Sequence, residues 1–148
     1  MSLIITLDKG ISIEPDLRDR LQSIVSLILN DEGLADKKIN LRIVNNKEMK
    51  KLNHQFRNKN SATNVLSFQN DDISSIHTKN IGDIAISLEY VEREAKEEGK
   101  FFEDHMIHML AHGVYHIIGY DHENDEMAAI MENKEINILN KININNPY

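Results

Sequence analysis

The stretch HGVYHIIGYDH, residues 112–122, concentrates side chains that can hold a metal ion. His112 and His116 are four residues apart in a segment whose apolar pattern predicts a helix, so their imidazoles share one helical face. Gly119 adopts positive φ at little cost, and a chain reversal there returns His122 towards the same ion. Three neutral imidazoles leave one position of a tetrahedral ion open. Because the chain has no cysteine to complete a structural site, we expect a catalytic centre with one zinc ion, or another divalent transition metal.

Three neighbouring polar residues are candidates for supporting roles. His108 precedes His116 by eight residues, about 12 Å along a helix axis, so the two cannot bind one ion. We therefore expect His108 to lie beside the ligands or in the substrate cleft. His105 is expected at the surface or in hydrogen-bonded packing. Asp121 either orients a ligand histidine through its free ring N–H or caps the turn.

The histidine spacing is that of the metzincin peptidases, except for one position. Gly113 stands where such a peptidase carries the glutamate that accepts a proton from water. A phosphodiester has less need of that glutamate, because its transition state spreads negative charge that a Lewis acid and a guanidinium stabilise. The pattern therefore favours phosphoester hydrolysis, with Arg57 as the candidate guanidinium. The alternative is a zincin-like metallopeptidase in which another acidic residue replaces the glutamate.

Charge is distributed unevenly along the chain. The net charge is −7, yet residues 37–59 carry eight basic side chains and one acidic one. A local basic face can bind phosphates on an acidic protein, because screening limits each charge to about 10 Å. We expect Arg57, Lys50, Lys51 and Lys59 to contact such a substrate. A solvated helix surface explains the same charges equally well.

Hydrophobic periodicity predicts a single α+β domain spanning residues 1–148, with a small mixed β-sheet packed with helices. No apolar run reaches the roughly 20 residues of a membrane span, and no signal peptide is recognisable, so we expect a cytoplasmic protein. The region 70–80 is polar and predicts an irregular loop. Strands are predicted at 3–7, 38–44, 65–68 and 81–87, and helices at 16–30, 46–57, 88–98, 102–118 and 124–139.

Four segments together resemble the YbeY family of bacterial endoribonucleases. HGVYHIIGYDH resembles the family signature H-G-x-x-H-x-x-G-Y-D-H. LNHQFR, TNVLSF and GDIAIS resemble three further family segments in the same order. Gln69 departs from the pattern, because the family usually has proline there, and we expect this to alter a strand exit and not the chemistry.

The resemblance implies a zincin-like fold and a zinc-dependent, single-strand-specific endoribonuclease. It implies action in rRNA processing, notably at the 3′ end of small-subunit rRNA, and in ribosome quality control. The expected partners are single-stranded rRNA and the small ribosomal subunit with its assembly factors. It gives His112, His116 and His122 the ligand roles, His112 and Arg57 catalytic roles, and Arg57 the contact to phosphate. A non-catalytic ribosome maturation factor with structural zinc is a further alternative.

Overall fold

The computed structural model describes residues 2–70 and 79–148, so most of the loop predicted at 70–80 lies outside the described residues. The described part contains four strands and five helices, and the predicted α+β class is confirmed. The strands are β1 (Leu3–Leu7), β2 (Lys38–Val44), β3 (Val65–Gln69) and β4 (Asn80–Ser87). The helices are α1 (Pro15–Asp31), α2 (Asn46–Arg57), α3 (Leu88–Glu98), α4 (Phe102–Ile118) and α5 (Asp125–Asn140).

The four strands form one mixed sheet in the order β1-β2-β4-β3. β1 pairs with β2 and β2 with β4 in parallel, whereas β3 runs antiparallel to β4. The register places Leu41 opposite Ile84 and Leu66 opposite Ala85. Because β3 has a strand neighbour on one side only, its other side is free to border a cleft.

Apolar side chains cover both faces of the sheet. On one face, α1 and α4 pack over the strands in the main core, where Ile24, Leu41, Ile84 and Leu110 are all at most 2 % exposed. On the other face, Met49 of α2 joins a smaller cluster with Leu66 and Ala85. Neighbouring residues of one strand, such as Ile84 and Ala85, join different clusters because successive side chains of a β-strand point to opposite faces of the sheet. The long helix α4 is therefore fixed against the sheet along its length.

Local capping explains where the helices that carry the site begin and end. The Asn45 side chain accepts a hydrogen bond from the Glu48 N–H at 2.9 Å and starts α2. Gly119 ends α4 at φ 119°, a conformation that favours glycine. The Asn124 side chain accepts from the Met127 N–H at 2.9 Å and starts α5. The short turn between Gly119 and Asn124 thus holds residue 122 next to the end of α4.

Among the helices of the described residues, none combines the length and the apolar character needed to cross a bilayer.

Candidate metal centre and its cleft

The three predicted ligand histidines lie together. His112 and His116 project from α4, His122 comes from the turn that follows, and one ring nitrogen from each lies within 4.8 Å of the others. The ring centroids of His112 and His116 are 4.8 Å apart, as are those of His116 and His122. An all-imidazole donor set of this kind suits zinc and other divalent transition metals. These residues fit a metal ion.

A buried carboxylate stands behind His112. Glu135 of α5 is 0 % exposed, and its Oε2 lies 3.1 Å from Nδ1 of His112. Its Oε1 lies 2.7 Å from Nε2 of His108 and accepts a hydrogen bond from the Tyr148 hydroxyl at 2.7 Å. Burial raises the pKa of Glu135, but the hydrogen bonds from His108 and His112 outweigh it and lower the pKa to about 2. The carboxylate is therefore ionised at neutral pH.

The environment of His116 keeps its imidazole neutral. Burial lowers the pKa of His116, and the neighbouring imidazoles of His112 and His122 lower it further. A histidine binds a metal through the lone pair of a neutral ring, so a lowered pKa suits a ligand.

Gly113 faces the sheet, away from the cleft. A Cβ atom built on Gly113 would lie 3.1 Å from Cδ1 of Ile84 and 3.4 Å from its Cγ1 and Cγ2. Ile84 is 2 % exposed in the main core. A side chain at position 113 would therefore enter the core, and it has no route to the three imidazoles.

Arg57 lies at the same cleft as the histidines, although it comes from the opposite face of the sheet. Its Nη2 donates to the Ser67 carbonyl at 2.9 Å, and its guanidinium lies 4.9 Å from the centre of the Phe68 ring. The cleft has a volume of about 1180 Å³, and Arg57, His112, His116 and His122 all line it. The edge strand β3 thus holds the arginine in the lining of the cleft that the histidines also line.

The lysines predicted to contact substrate are placed unequally. Lys59 lines the cleft beside Arg57. Lys50 and Lys51 are exposed on α2, outside the cleft lining. Arg42, a member of the same basic segment, is paired with Asp8 at 2.8 Å and with Glu48 at 3.3 Å. The basic face available to a ligand is therefore smaller than the sequence count suggests.

The remaining predicted residues have defined partners. His108 lines the cleft and bonds Glu135, and thus lies beside a candidate ligand as well as in the cleft. His105 is 3 % exposed, and its Nε2 lies 2.7 Å from Glu94, which fits hydrogen-bonded packing.

The Asp121 carboxylate accepts from the His122 backbone N–H at 2.7 Å, a contact that caps the turn. Gln69 remains in β3 and donates to the Ile117 carbonyl of α4 at 3.0 Å.

Sequence reasoning missed Glu135 and Tyr148. Met131, Glu135 and Ile138 are spaced four and three residues apart, and all three are buried on one face of α5. A charged residue on an apolar stripe was a signal that a buried partner exists. Tyr148 had no comparable signal, because it follows the last helix in a polar segment.

The fold and the site define a mixed-sheet α+β domain with one cleft that three clustered histidines and an arginine line. Comparison with known proteins agrees with the fold. Residues 4–143 match the family described as Endoribonuclease YbeY, and the chain belongs to that family.

Individual relatives cover most of the chain. The protein named Endoribonuclease YbeY from Francisella tularensis subsp. tularensis is 40% identical over 138 residues, which span 88% of this chain and 80% of the relative. The protein of the same name from Alteromonas mediterranea is 39% identical over 141 residues, with 95% and 89% covered. The solution structure of TM1509 from Thermotoga maritima shares the fold, with a TM-score of 0.64, 27% identity, and 95% of this chain and 91% of that chain covered.

Proposed function

We propose that this chain is a cytoplasmic, zinc-dependent endoribonuclease that cuts single-stranded rRNA during maturation of the small ribosomal subunit and in ribosome quality control. One observation carries the proposal. Three imidazoles and one anchored guanidinium line a single cleft of about 1180 Å³. Membership of a family of endoribonucleases supports RNA as the substrate. The small subunit and its assembly factors are the proposed partners.

His112, His116 and His122 would hold the ion. When bound there, zinc supplies Lewis acidity next to the scissile phosphate. The chain's own contribution is to keep the His116 ring neutral through its lowered pKa. The contact from Glu135 to His112 and the capped turn before His122 hold the other two rings in place. These fixed contacts reduce the reorganisation needed when substrate arrives.

Arg57 is the residue proposed to bind and stabilise the phosphate. Its bond to the Ser67 carbonyl and its contact with the Phe68 ring occupy only part of the guanidinium, which has five N–H donors. The remaining donors can take a phosphate in a bidentate arrangement. Because the side chain is already held, less rotamer entropy is lost on binding.

Lysine side chains extend the phosphate contacts beyond the centre. Lys59 is proposed to bind the next phosphate in the cleft, and Lys50 and Lys51 to attract the strand from the exposed face of α2. His108 is proposed to support the centre through Glu135 while its ring borders the substrate. Such contacts bind the backbone without reading the bases, so binding should weaken steeply with salt.

The packing of Gly113 restricts the peptidase alternative. A side chain at position 113 would meet Ile84 in the core, so that alternative needs an acidic residue elsewhere in the cleft, such as Asp121 or Glu123, to accept the proton. Membership of a family of endoribonucleases supports phosphodiester chemistry instead. Arg57 supplies the cationic group that this chemistry uses.

The test is cleavage of end-labelled single-stranded RNA by zinc-loaded protein, beside His116→Ala and Arg57→Ala variants. Removal of one donor that stabilises the charge of the transition state typically slows an enzyme about 10²–10³-fold, and we expect this effect from Arg57→Ala. Arg93→Ala is the matched control, because Arg93 also lies over an aromatic ring, Tyr90 at 4.6 Å, but on α3 outside the cleft lining. Equal cleavage by all four proteins would refute the proposal and indicate a contaminant.

The ends of the products identify the attacking group. A 2′,3′-cyclic phosphate would show that the 2′-hydroxyl of the RNA attacks, whereas its absence from the initial products would favour water. Mass spectrometry of early cleavage products makes this distinction.

A further inference from the structure

Glu135 connects the metal centre to two elements that carry no ligand. We infer that Glu135 is a positioning residue, which sets the ring orientation and the tautomer of His112 so that Nε2 faces the metal. The inference rests on the metal site proposed above. It assigns a role to a buried residue of α5 and to the segment that follows that helix.

The geometry of the carboxylate supports this role. Both oxygens of Glu135 are used, Oε2 by His112 at 3.1 Å and Oε1 by His108 and Tyr148, each at 2.7 Å. The side chain is 0 % exposed, so bulk solvent does not reach these positions. A buried charge is stable only when its lone pairs are satisfied, and the three contacts provide that.

The direction of the hydrogen bonds follows from the contact geometry. Carboxylate oxygens accept hydrogen bonds, so each histidine nitrogen that lies within hydrogen-bond distance of one donates its hydrogen to it. His112 therefore carries its hydrogen on Nδ1 and keeps the lone pair on Nε2. Carboxylate partners of this kind fix the tautomer and increase the basicity of metal-binding histidines.

The segment after α5 completes the arrangement. The Tyr148 ring meets the His108 ring edge to face, with centroids 5.4 Å apart, and its hydroxyl donates to Glu135. Lys100 donates to the Pro147 carbonyl at 2.9 Å, and Ile144 is 5 % exposed. The segment is thus attached at three points, and its Tyr148 hydroxyl restrains the Glu135 oxygen that does not contact His112.

A second glutamate–histidine pair, whose histidine also lies on α4, provides a control. Glu94 lies 2.7 Å from Nε2 of His105, the same distance as in the Glu135–His108 contact. Within residues 2–70 and 79–148, the side chain of Glu94 bonds His105 and Asn64, and neither belongs to the histidine triad. Removing the charge of Glu94 therefore perturbs a comparable pair without touching a ligand.

The experiment measures zinc affinity by competition with a chromophoric chelator, for the wild type, Glu135→Gln and Glu94→Gln. Loss of a partner of a metal-binding histidine typically weakens metal binding about 10–100-fold, the effect expected for Glu135→Gln. Glu94→Gln should bind zinc as the wild type does. Thermal unfolding in chelator checks that both variants are folded.

A second measurement uses the wild type alone and stays decisive if Glu135→Gln does not fold. Long-range ¹H–¹⁵N spectra of the metal-free protein report which ring nitrogen of His112 carries hydrogen, and Nδ1 is expected. Hydrogen on Nε2, or equal zinc affinity of wild type and Glu135→Gln, would overturn the inference. A wild type that binds no zinc would refute the proposed metal centre, a result distinct from a failure of Glu135 alone.

Discussion

Gly113 is the position where a metzincin peptidase would carry glutamate. Introducing glutamate there is the most direct test of how this position packs against β4. We expect Gly113→Glu to destabilise the protein and to produce no peptidase. The reason is the direction of the side chain. Its Cβ would lie 3.1 Å from Cδ1 of Ile84 on β4, and the carboxylate would therefore be placed in the core. Gly113→Ala separates the effect of the first carbon from that of the charge.

The change in the free energy of unfolding is the balance of a gain in helix propensity and a cost of overpacking. Alanine gains about 1 kcal/mol over glycine in a helix interior, and overpacking a core costs about 1–3 kcal/mol. The nearest atom is the end of the Ile84 side chain, so we expect Gly113→Ala to cost about 1 kcal/mol or less. Glutamate adds the burial of a charge without a partner, and the total should exceed about 4 kcal/mol. For a domain of this size that lowers Tm by roughly 8–16 °C.

Thermal unfolding in chelator measures these costs without the added stability of bound metal. Zinc-loaded Gly113→Glu is then assayed on casein and on single-stranded RNA. A variant with the same Tm as the wild type, or one that cleaves casein, would show that a side chain at position 113 reaches the cleft and does not enter the core.

Three further predictions concern stability. Gly82→Ala should cost more than Gly113→Ala in urea unfolding, because its Cβ would lie 2.8 Å from the backbone oxygen of Phe68, which cannot rotate away. Asn45→Ala should cost about 1 kcal/mol, whereas Asn45→Ser, which can still cap α2, should cost less. Glu135 has a pKa of about 2 in the folded chain against an ordinary 4.5, so its stabilisation is present above pH 4.5 and is lost as the pH falls towards 2. Urea unfolding in chelator should therefore show a fall of roughly 3 kcal/mol across that window, and Glu135→Gln should remove it.

The sequence predicted the elements well because local signals and tertiary packing agree in this chain. Each of the four predicted strands is present, and their bounds differ from the structure by one residue at most. Asn124 was expected to open the last helix, and its side chain caps α5. Period and capping are local properties, which is why a single sequence was enough to find them.

The site could be predicted only where its residues are close in sequence. His112, His116 and His122 lie within one helix and one turn, so spacing alone brought them together. Glu135 and Tyr148 reach the same place through the packing of α5 and the segment after it, which no spacing rule describes. Arg42 shows an error in the other direction. The sequence counts it among the cations of the basic segment, but it is paired with Asp8 and Glu48 and is not free to bind phosphate.

The charges around the cleft indicate how an acidic protein can hold RNA. Arg57, Lys59 and Lys100 line the cleft together with two acidic groups: Glu94 and Glu98 with His105 at the start of α4, and Asp121 and Glu123 beside His122. His105 and His116 are eleven residues apart, about 16 Å along the helix, which is beyond the screening length of about 8 Å at physiological salt. A phosphate beside His116 is therefore largely screened from Glu94 and Glu98, and the cations at Arg57 and Lys59 offset the nearer acidic pair. A strand that enters the cleft should place its backbone beside Arg57 and Lys59 and keep its phosphates away from Glu94, whatever the net charge of the whole chain.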